Sequence, residues 1–246
     1  MKILFIGDSI TLGLVGESYV KQIGLENPHW KIKNAGIGGD TLSNISERVI
    51  NELKQDVDFD IIVFEAGYND ILLPYFNSRG FLFRIAYKFL IFKGRNPLSE
   101  SRAFKAEYKG IVKKMKNITK ARIVLMTIGC INENLGSKLN STRLNFNRII
   151  REIAENSDCL LADIASEFEL ILYQSKQTDY LLKNFWNSIY FDLKACTTPG
   201  GSNQLSSKRN LELTIDGVHL NYKGAEITKN LIAKQIALSK TNLNKP

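Results

Sequence analysis

Histidine is nearly absent from this chain of 246 residues, which holds only His29 and His219. Cysteine is scarce as well, with Cys130, Cys159 and Cys196 far apart and no CxxC pair. An odd, scattered set of thiols builds no disulfide framework, and so few histidines offer no structural zinc site. Cys130 and Cys159 fall at the end and the start of predicted strands, where free thiols are buried as small apolar groups. No apolar run reaches the length of a membrane span. The opening run is too short for a signal peptide, so the expected location is cytoplasmic. No internal repeat, low-complexity tract or linker divides the chain, and a single domain over residues 1–246 is expected, with insertions at about 75–97 and 173–211.

Positive charge, by contrast, is in excess: 33 Lys and Arg against 25 Asp and Glu give a net +8. Such a balance suits anionic partners. The lysines are scattered, however, and Lys223, Lys229, Lys234, Lys240 and Lys245 fall in what reads as a solvated terminal helix and tail. The charge therefore reads as solubility, and no nucleic-acid partner is expected.

Apolar runs bounded by turn residues alternate with helical periodicity along the whole chain. Ile3 to Ile6 follows a single lysine and stops at Gly7, the pattern of a strand buried on both faces. Gly16 to Gly24 reads as a short helix. Trp30 and Ile32 lead through Asn34-Ala35-Gly36 into a glycine-rich loop, and Leu42, Ile45, Val49 and Leu53 give one buried face to a helix capped by Thr41 or Asp40. Asp60–Ala66, Ala121–Ile128 and Asp158–Ile164 complete a set of five strands. Helical patterns cover 101–119 and 142–155, and Tyr222 to Leu238 closes the chain. Repeated βα units of this kind predict an α/β fold with a central five-stranded parallel sheet between two helical layers.

Two segments break the alternation. Residues 75–97 are crowded with aromatics and carry a thin basic stripe, Arg84 and Lys88, at i, i+4. Three readings apply: a lid, an amphipathic helix touching lipid or an acyl chain, or a helix packed in the domain with few exposed faces. Residues 173–211, with Phe185, Trp186 and Tyr190 ahead of a flexible run from Thr197 to Lys208, read as a substrate-covering loop.

Ligands of an open parallel sheet bind beyond the carboxyl ends of its strands. Three predicted strand-end loops lie there: Gly7-Asp8-Ser9, Gly38-Gly39-Asp40 and Gly67-Tyr68-Asn69-Asp70. Ser9 sits at a strand-to-helix turn, where its hydroxyl is either a nucleophile or simply the cap of the next helix. Gly39 can bring a bare backbone N–H to an oxyanion, and Asn69 can add an amide donor. Asp216-Gly217-Val218-His219, just before the last helix, spaces a carboxylate to orient the imidazole of a general base. A surface histidine flanking a helix is the other reading of His219. His29, in a turn entering a strand, has a structural setting, so a base of this type would be His219. Gly36-Ile37-Gly38-Gly39-Asp40-Thr41 lacks the third glycine of a dinucleotide fingerprint and follows the second strand, and no Walker-type lysine comes after it. No cofactor or metal is expected.

GDSI at 7–10, NAGIGGDT at 34–41, GYND at 67–70 and DGVHL at 216–220 resemble, in order, the four sequence blocks of the SGNH (GDSL-type) hydrolases. The resemblance spans nearly the whole chain. It implies a flavodoxin-like three-layer α/β/α fold and hydrolysis of a small-molecule carboxylic ester through an acyl-serine. By position it makes Ser9 the nucleophile, His219 the base and Asp216 its orienter, with the Ser9 and Gly39 N–H groups and the Asn69 side chain as oxyanion hole. Asp8 and Asp70 are expected to hold loops through backbone amides. The acyl group stays open between a small one, such as O-acetyl on a carbohydrate, and a lipid-type chain: residues 75–97 suit lipid, and Trp186 and Tyr190 suit stacking on a sugar. An acyltransferase using the same triad, or a non-hydrolytic acyl- or carbohydrate-binding protein of this fold, are the alternatives.

Overall fold

Five parallel strands form one sheet in the order β2-β1-β3-β4-β5, with β1 at Lys2–Gly7, β2 at Lys31–Gly36, β3 at Ile61–Phe64, β4 at Arg122–Met126 and β5 at Leu160–Ala162. A computed structural model describes the chain over residues 1–243, apart from residues 177, 184 and 186–189; for 239–243 only the backbone is described. Trp186, one of the sugar-stacking candidates, lies outside the described residues. The central strands are built from β-branched and aromatic residues without polar interruption, so both faces must be covered. Ile3 to Ile6 and Ile61 to Phe64 are accordingly buried. β2, at one edge, exposes Lys31 and Lys33, charges that discourage pairing with another chain.

Helices cover both faces. α3 (Leu42–Gln55), α6 (Ser101–Ile118) and α7 (Lys138–Asn156) pack in sequence on one side. α2 (Tyr19–Glu26), α11 (Tyr222–Leu243) and α8 (Ile164–Gln174) pack on the other, with α11 between its neighbours. The α3 stripe Leu42, Ile45, Val49, Leu53 is fully buried, as its periodicity requires. In α6 and α7, Phe104 and Phe146 stack with centroids 3.9 Å apart. The short α1 (Ser9–Leu12) follows β1 directly, and α4 (Tyr68–Asn77) and α5 (Phe81–Phe92) follow β3. α9 (Asp192–Cys196) and α10 (Gly201–Arg209) precede the loop that leads to α11.

Several boundaries differ from the sequence expectation. The strand expected at 158–164 has ladder partners only over Leu160–Ala162, and that at 121–128 only over Arg122–Met126; the buried Ile164 instead opens α8, and the buried Ile128 bonds to the Asn147 side chain. Gly67-Tyr68-Asn69-Asp70 is no loop: Gly67 is the N-cap of α4, and Asn69 and Asp70 lie in its first turn. The run 197–208 is largely helical, since α10 buries Ser202 and Ser206 and the Ser206 hydroxyl donates to Thr214 O at 2.7 Å. Lys229 is buried against Glu26, with Nζ 2.5 Å from Oε1, and is no part of a solvated face.

Order 2-1-3-4-5 is the doubly wound arrangement in which the chain reverses direction between β1 and β3, leaving a crevice at their carboxyl ends. Gly7 ends β1 at this crevice. A Cβ there would stand 2.3 Å from both Glu65 Oε2 and Thr11 Oγ1. Gly110, within α6, has open space around it. The same substitution should therefore act with opposite sign at the two positions. Urea unfolding should show Gly7→Ala destabilised by about 1–3 kcal/mol through overpacking and Gly110→Ala stabilised by about 0.5–1 kcal/mol through helix propensity.

Candidate active site

The crevice gathers Ser9, Gly39, Asn69, Asp216 and His219; Tyr190 does not line it. Asp8, not Ser9, is the N-cap of α1: its Oδ1 accepts the Ile10 N–H at 3.0 Å. That leaves the Ser9 hydroxyl free to accept or donate elsewhere, and it lies 3.1 Å from His219 Nε2. His219 Nδ1 lies 2.7 Å from Asp216 Oδ2. The other Asp216 oxygen accepts the Val218 and His219 N–H groups at 3.0 and 2.8 Å, so the turn itself fixes the carboxylate against the ring. The hydrogen-bonded chain Ser9–His219–Asp216 thus joins the first strand to the last loop across 210 residues.

Charge reinforces the arrangement. Burial alone would raise the Asp216 carboxyl, but the adjacent His219 ring and the hydrogen bonds it accepts bring it below its ordinary range. Burial alone would lower the His219 imidazole, and the Asp216 carboxylate outweighs it, holding the ring above its ordinary 6.5.

Gly39 lines the same cavity as Ser9 and has a φ of +81°, a conformation that side-chain-bearing residues rarely adopt. Asn69 Nδ2 donates to Asp40 O at 2.9 Å and to Asp8 Oδ2 at 3.1 Å. Asp40 is held in turn by two cations, Arg48 Nε at 2.6 Å and Arg95 Nη2 at 2.8 Å. Arg48 also donates to Gly7 O and Ala35 O, tying together the ends of β1 and β2. Asp70 accepts the Leu42 N–H at 2.8 Å and the Leu98 N–H at 2.7 Å, and burial raises its carboxyl to about 6. Both Asp8 and Asp70 therefore hold backbone amides.

Two buried carboxylates that the motifs do not name complete the site. Glu65 Oε2 accepts the Asp8 N–H at 2.9 Å and the Thr11 hydroxyl at 3.0 Å. Burial raises both the Asp8 and the Glu65 carboxyl, and Glu65 adds to the rise at Asp8: the pair resists carrying two negative charges. Glu133 accepts the N–H groups of Glu212, Leu213 and Thr214 and the Thr214 hydroxyl, all within 2.8 Å, and so anchors the loop that carries Asp216. A lone charge ending the apolar run of β3 was the sequence signal for Glu65; Glu133 has no local signal.

A cavity of about 490 Å³ opens from Ser9, Gly39, Asn69 and His219. Its wall is apolar: Leu72, Leu73 and Phe76 of α4, Phe83, Ala86 and Leu90 of α5, and Leu182 and Phe185 of the segment before α9. Residues 75–97 thus hold the end of α4 and a helix that covers the crevice. The reading of a helix packed with few exposed faces fails, because Phe83 is the one fully buried residue of α5.

A three-layer parallel α/β fold with a serine, a histidine and a carboxylate in line at its crevice is the constitution of an ester hydrolase. A model of the GDSL-like lipase/acylhydrolase family matches residues 5–227. The chain belongs to this family and is a carboxylic ester hydrolase. A search of curated proteins found no match. Among solved structures, the acetyl xylan esterase AlAXEase is similar at 18% identity and a TM-score of 0.65, over 96% of this chain and 100% of that one. Axe2, an acetylxylan esterase from Geobacillus stearothermophilus, is 20% identical with a TM-score of 0.62, over 96% and 93%. LAE5, an alpha/beta hydrolase enzyme from the metagenome of Lake Arreo, Spain, is 18% identical with a TM-score of 0.62, over 96% and 94%. At these identities the likeness is one of fold.

A histidine that must be neutral to accept a proton loses function on the acid side of its pKa. Because His219 is raised, the acid limb of kcat/KM for ester hydrolysis should have its midpoint above 6.5. Asp216→Asn removes the charge that raises it. A pH–rate series should then show the limb moved to lower pH and kcat reduced by about a thousandfold to ten-thousandfold.

Proposed function

We propose that this single-domain protein is a serine esterase that cleaves esters of apolar acyl chains several carbons long. Ser9 Oγ attacks the acyl carbonyl while His219 Nε2 takes its proton, and Asp216 steadies the imidazolium that forms. The negative charge on the former carbonyl oxygen is met by the Ser9 and Gly39 N–H groups and by Asn69. The Asn69 hydrogen on Asp40 O keeps the amide plane fixed; the longer bond, to Asp8, is the one exchanged for the oxyanion. His219 then returns the proton to the departing alcohol. Water, deprotonated by the same ring, releases the acid from Ser9.

The composition of the cavity wall carries the choice of acyl group. Eight apolar side chains surround a volume within the roughly 300–1,000 Å³ usual for small-molecule sites, where an acetyl group would touch only the floor. Recognition of a sugar calls for convergent hydrogen-bonding side chains. Besides Ser9, Asn69 and His219, none of the described residues lining the cavity supplies one. The lining supports an acyl chain over a sugar as the group held against this wall.

Hydrolysis of p-nitrophenyl acetate, butyrate, hexanoate and octanoate tests the reading. Each methylene buried contributes about 0.8 kcal/mol, so kcat/KM should rise roughly fourfold per carbon until the cavity is full. Leu73→Trp, which fills the wall, should move the optimum to shorter chains. Ser9→Ala should abolish turnover and labelling by a fluorophosphonate. A flat series with acetate preferred would overturn the acyl-chain reading, and a fluorophosphonate adduct elsewhere than Ser9 would overturn the site.

A further inference from the structure

α5 is apolar on both sides. Phe83, Ala86 and Leu90, spaced at i, i+3 and i+7, face the cavity. On the opposite side Phe81, Ile85, Phe89 and Phe92 form a second stripe, at i, i+4, i+8 and i+11, that is exposed to solvent. Phe81 is 73% exposed, Phe89 57% and Phe92 85%. A contiguous stripe of large apolar side chains is unusual on a soluble surface and marks a site of contact.

The surroundings of the stripe select the partner. Arg84 and Lys88 flank it on one side and Lys93 on the other, all exposed. From Ile71 to Ser99 the chain has five cations, Arg79, Arg84, Lys88, Lys93 and Arg95, and no aspartate or glutamate. A helix with an apolar face and flanking cations lies in the plane of an anionic bilayer, its apolar side chains among the acyl chains and its cations at the headgroups. The helix is also tethered at both ends. Arg79 donates to Leu181 O and Leu182 O, Asn44 donates to Gly94 O, and Arg95 pairs with Asp40. It is presented as a fixed surface element beside the mouth of the cavity.

We propose that the outer face of α5 docks on an anionic lipid bilayer and that the cavity behind it takes its ester from that surface. The proposal rests on the acyl-chain reading above for the identity of the substrate, but the docking is measured without catalysis. Purified protein would be sedimented with vesicles of phosphatidylcholine alone and of phosphatidylcholine with 30% phosphatidylglycerol. The wild type should partition at least tenfold more strongly to the anionic vesicles, with loss on raising salt. The variant Phe81→Glu/Phe89→Glu/Phe92→Glu should lose at least tenfold of that binding while hydrolysing soluble p-nitrophenyl butyrate within twofold of wild type, which also reports that it is folded. Arg84→Gln/Lys88→Gln, which leaves the aromatics in place, should lose several-fold of the preference for anionic over neutral vesicles. Absence of wild-type binding to anionic vesicles would overturn docking, as would binding that both variants retain. So would a wild-type dimer by light scattering that the Phe→Glu variant abolishes, with no vesicle binding, since the stripe would then join two copies of this chain. Vesicle binding without hydrolysis of any soluble ester would instead leave docking standing and remove the esterase reading.

Discussion

A carboxylate buried at the end of β3 holds the crevice in shape. Glu65 lies beneath the turn that follows β1, taking the Asp8 N–H and the Thr11 hydroxyl. Thr11 in turn meets the Tyr19 hydroxyl at 2.8 Å, linking α1 to α2. Gly7 leaves the space that the carboxylate occupies. Burying a carboxyl is costly without donors, and Oε2 meets two of them, so the turn bearing Ser9, α1 and α2 are drawn to one side chain. The fold thereby places Ser9 with a group that never touches the reacting atoms.

The same device recurs around the crevice. Arg48 collects the ends of β1 and β2 together with Asp40, Asp70 joins the start of α3 to the segment after α5, and Glu133 gathers the approach to Asp216. Backbone groups at the ends of parallel strands have no further ladder partner, and each unpaired one costs free energy. Here Arg48 takes that role for Gly7 O and Ala35 O, and the cavity wall beyond is apolar.

The parallel sheet was legible because Ile3–Ile6 and Ile61–Phe64 are apolar on both faces, a pattern that a covered parallel sheet satisfies; the strand order was not written in these runs. That Ser9, Gly39, Asn69, Asp216 and His219 come together was legible because turn residues bracket the first three at predicted strand ends and an Asp-to-His spacing of three marks the last two in a chain so poor in histidine. α4 was hidden because Gly67 and Asn69 look like loop residues and Pro74 interrupts its pattern. Strand ends were overrun where Ile128 and Ile164 are buried without ladder partners, since hydrophobicity records burial and not strand pairing. The cavity wall was illegible for a different reason. Leu72, Phe83 and Leu182 come from separate segments, and nothing local in a leucine or phenylalanine tells which core it faces. The aromatic content of 75–97 was plain, but which of its side chains point inward depends on the helix's tethers at Arg79 and Arg95.

A helix with apolar side chains on two opposite sides has no comfortable orientation in water. Whichever way α5 rolls, it keeps one hydrophobic stripe wet, so in aqueous solution the covered position is merely the one that hides Phe83 and its neighbours. The tether at its far end reaches the crevice as well: Arg95 pairs with Asp40, and Asp40 O accepts from Asn69. Whatever load the outer stripe of α5 bears is therefore passed along one line of bonds to the side chain proposed to meet the oxyanion.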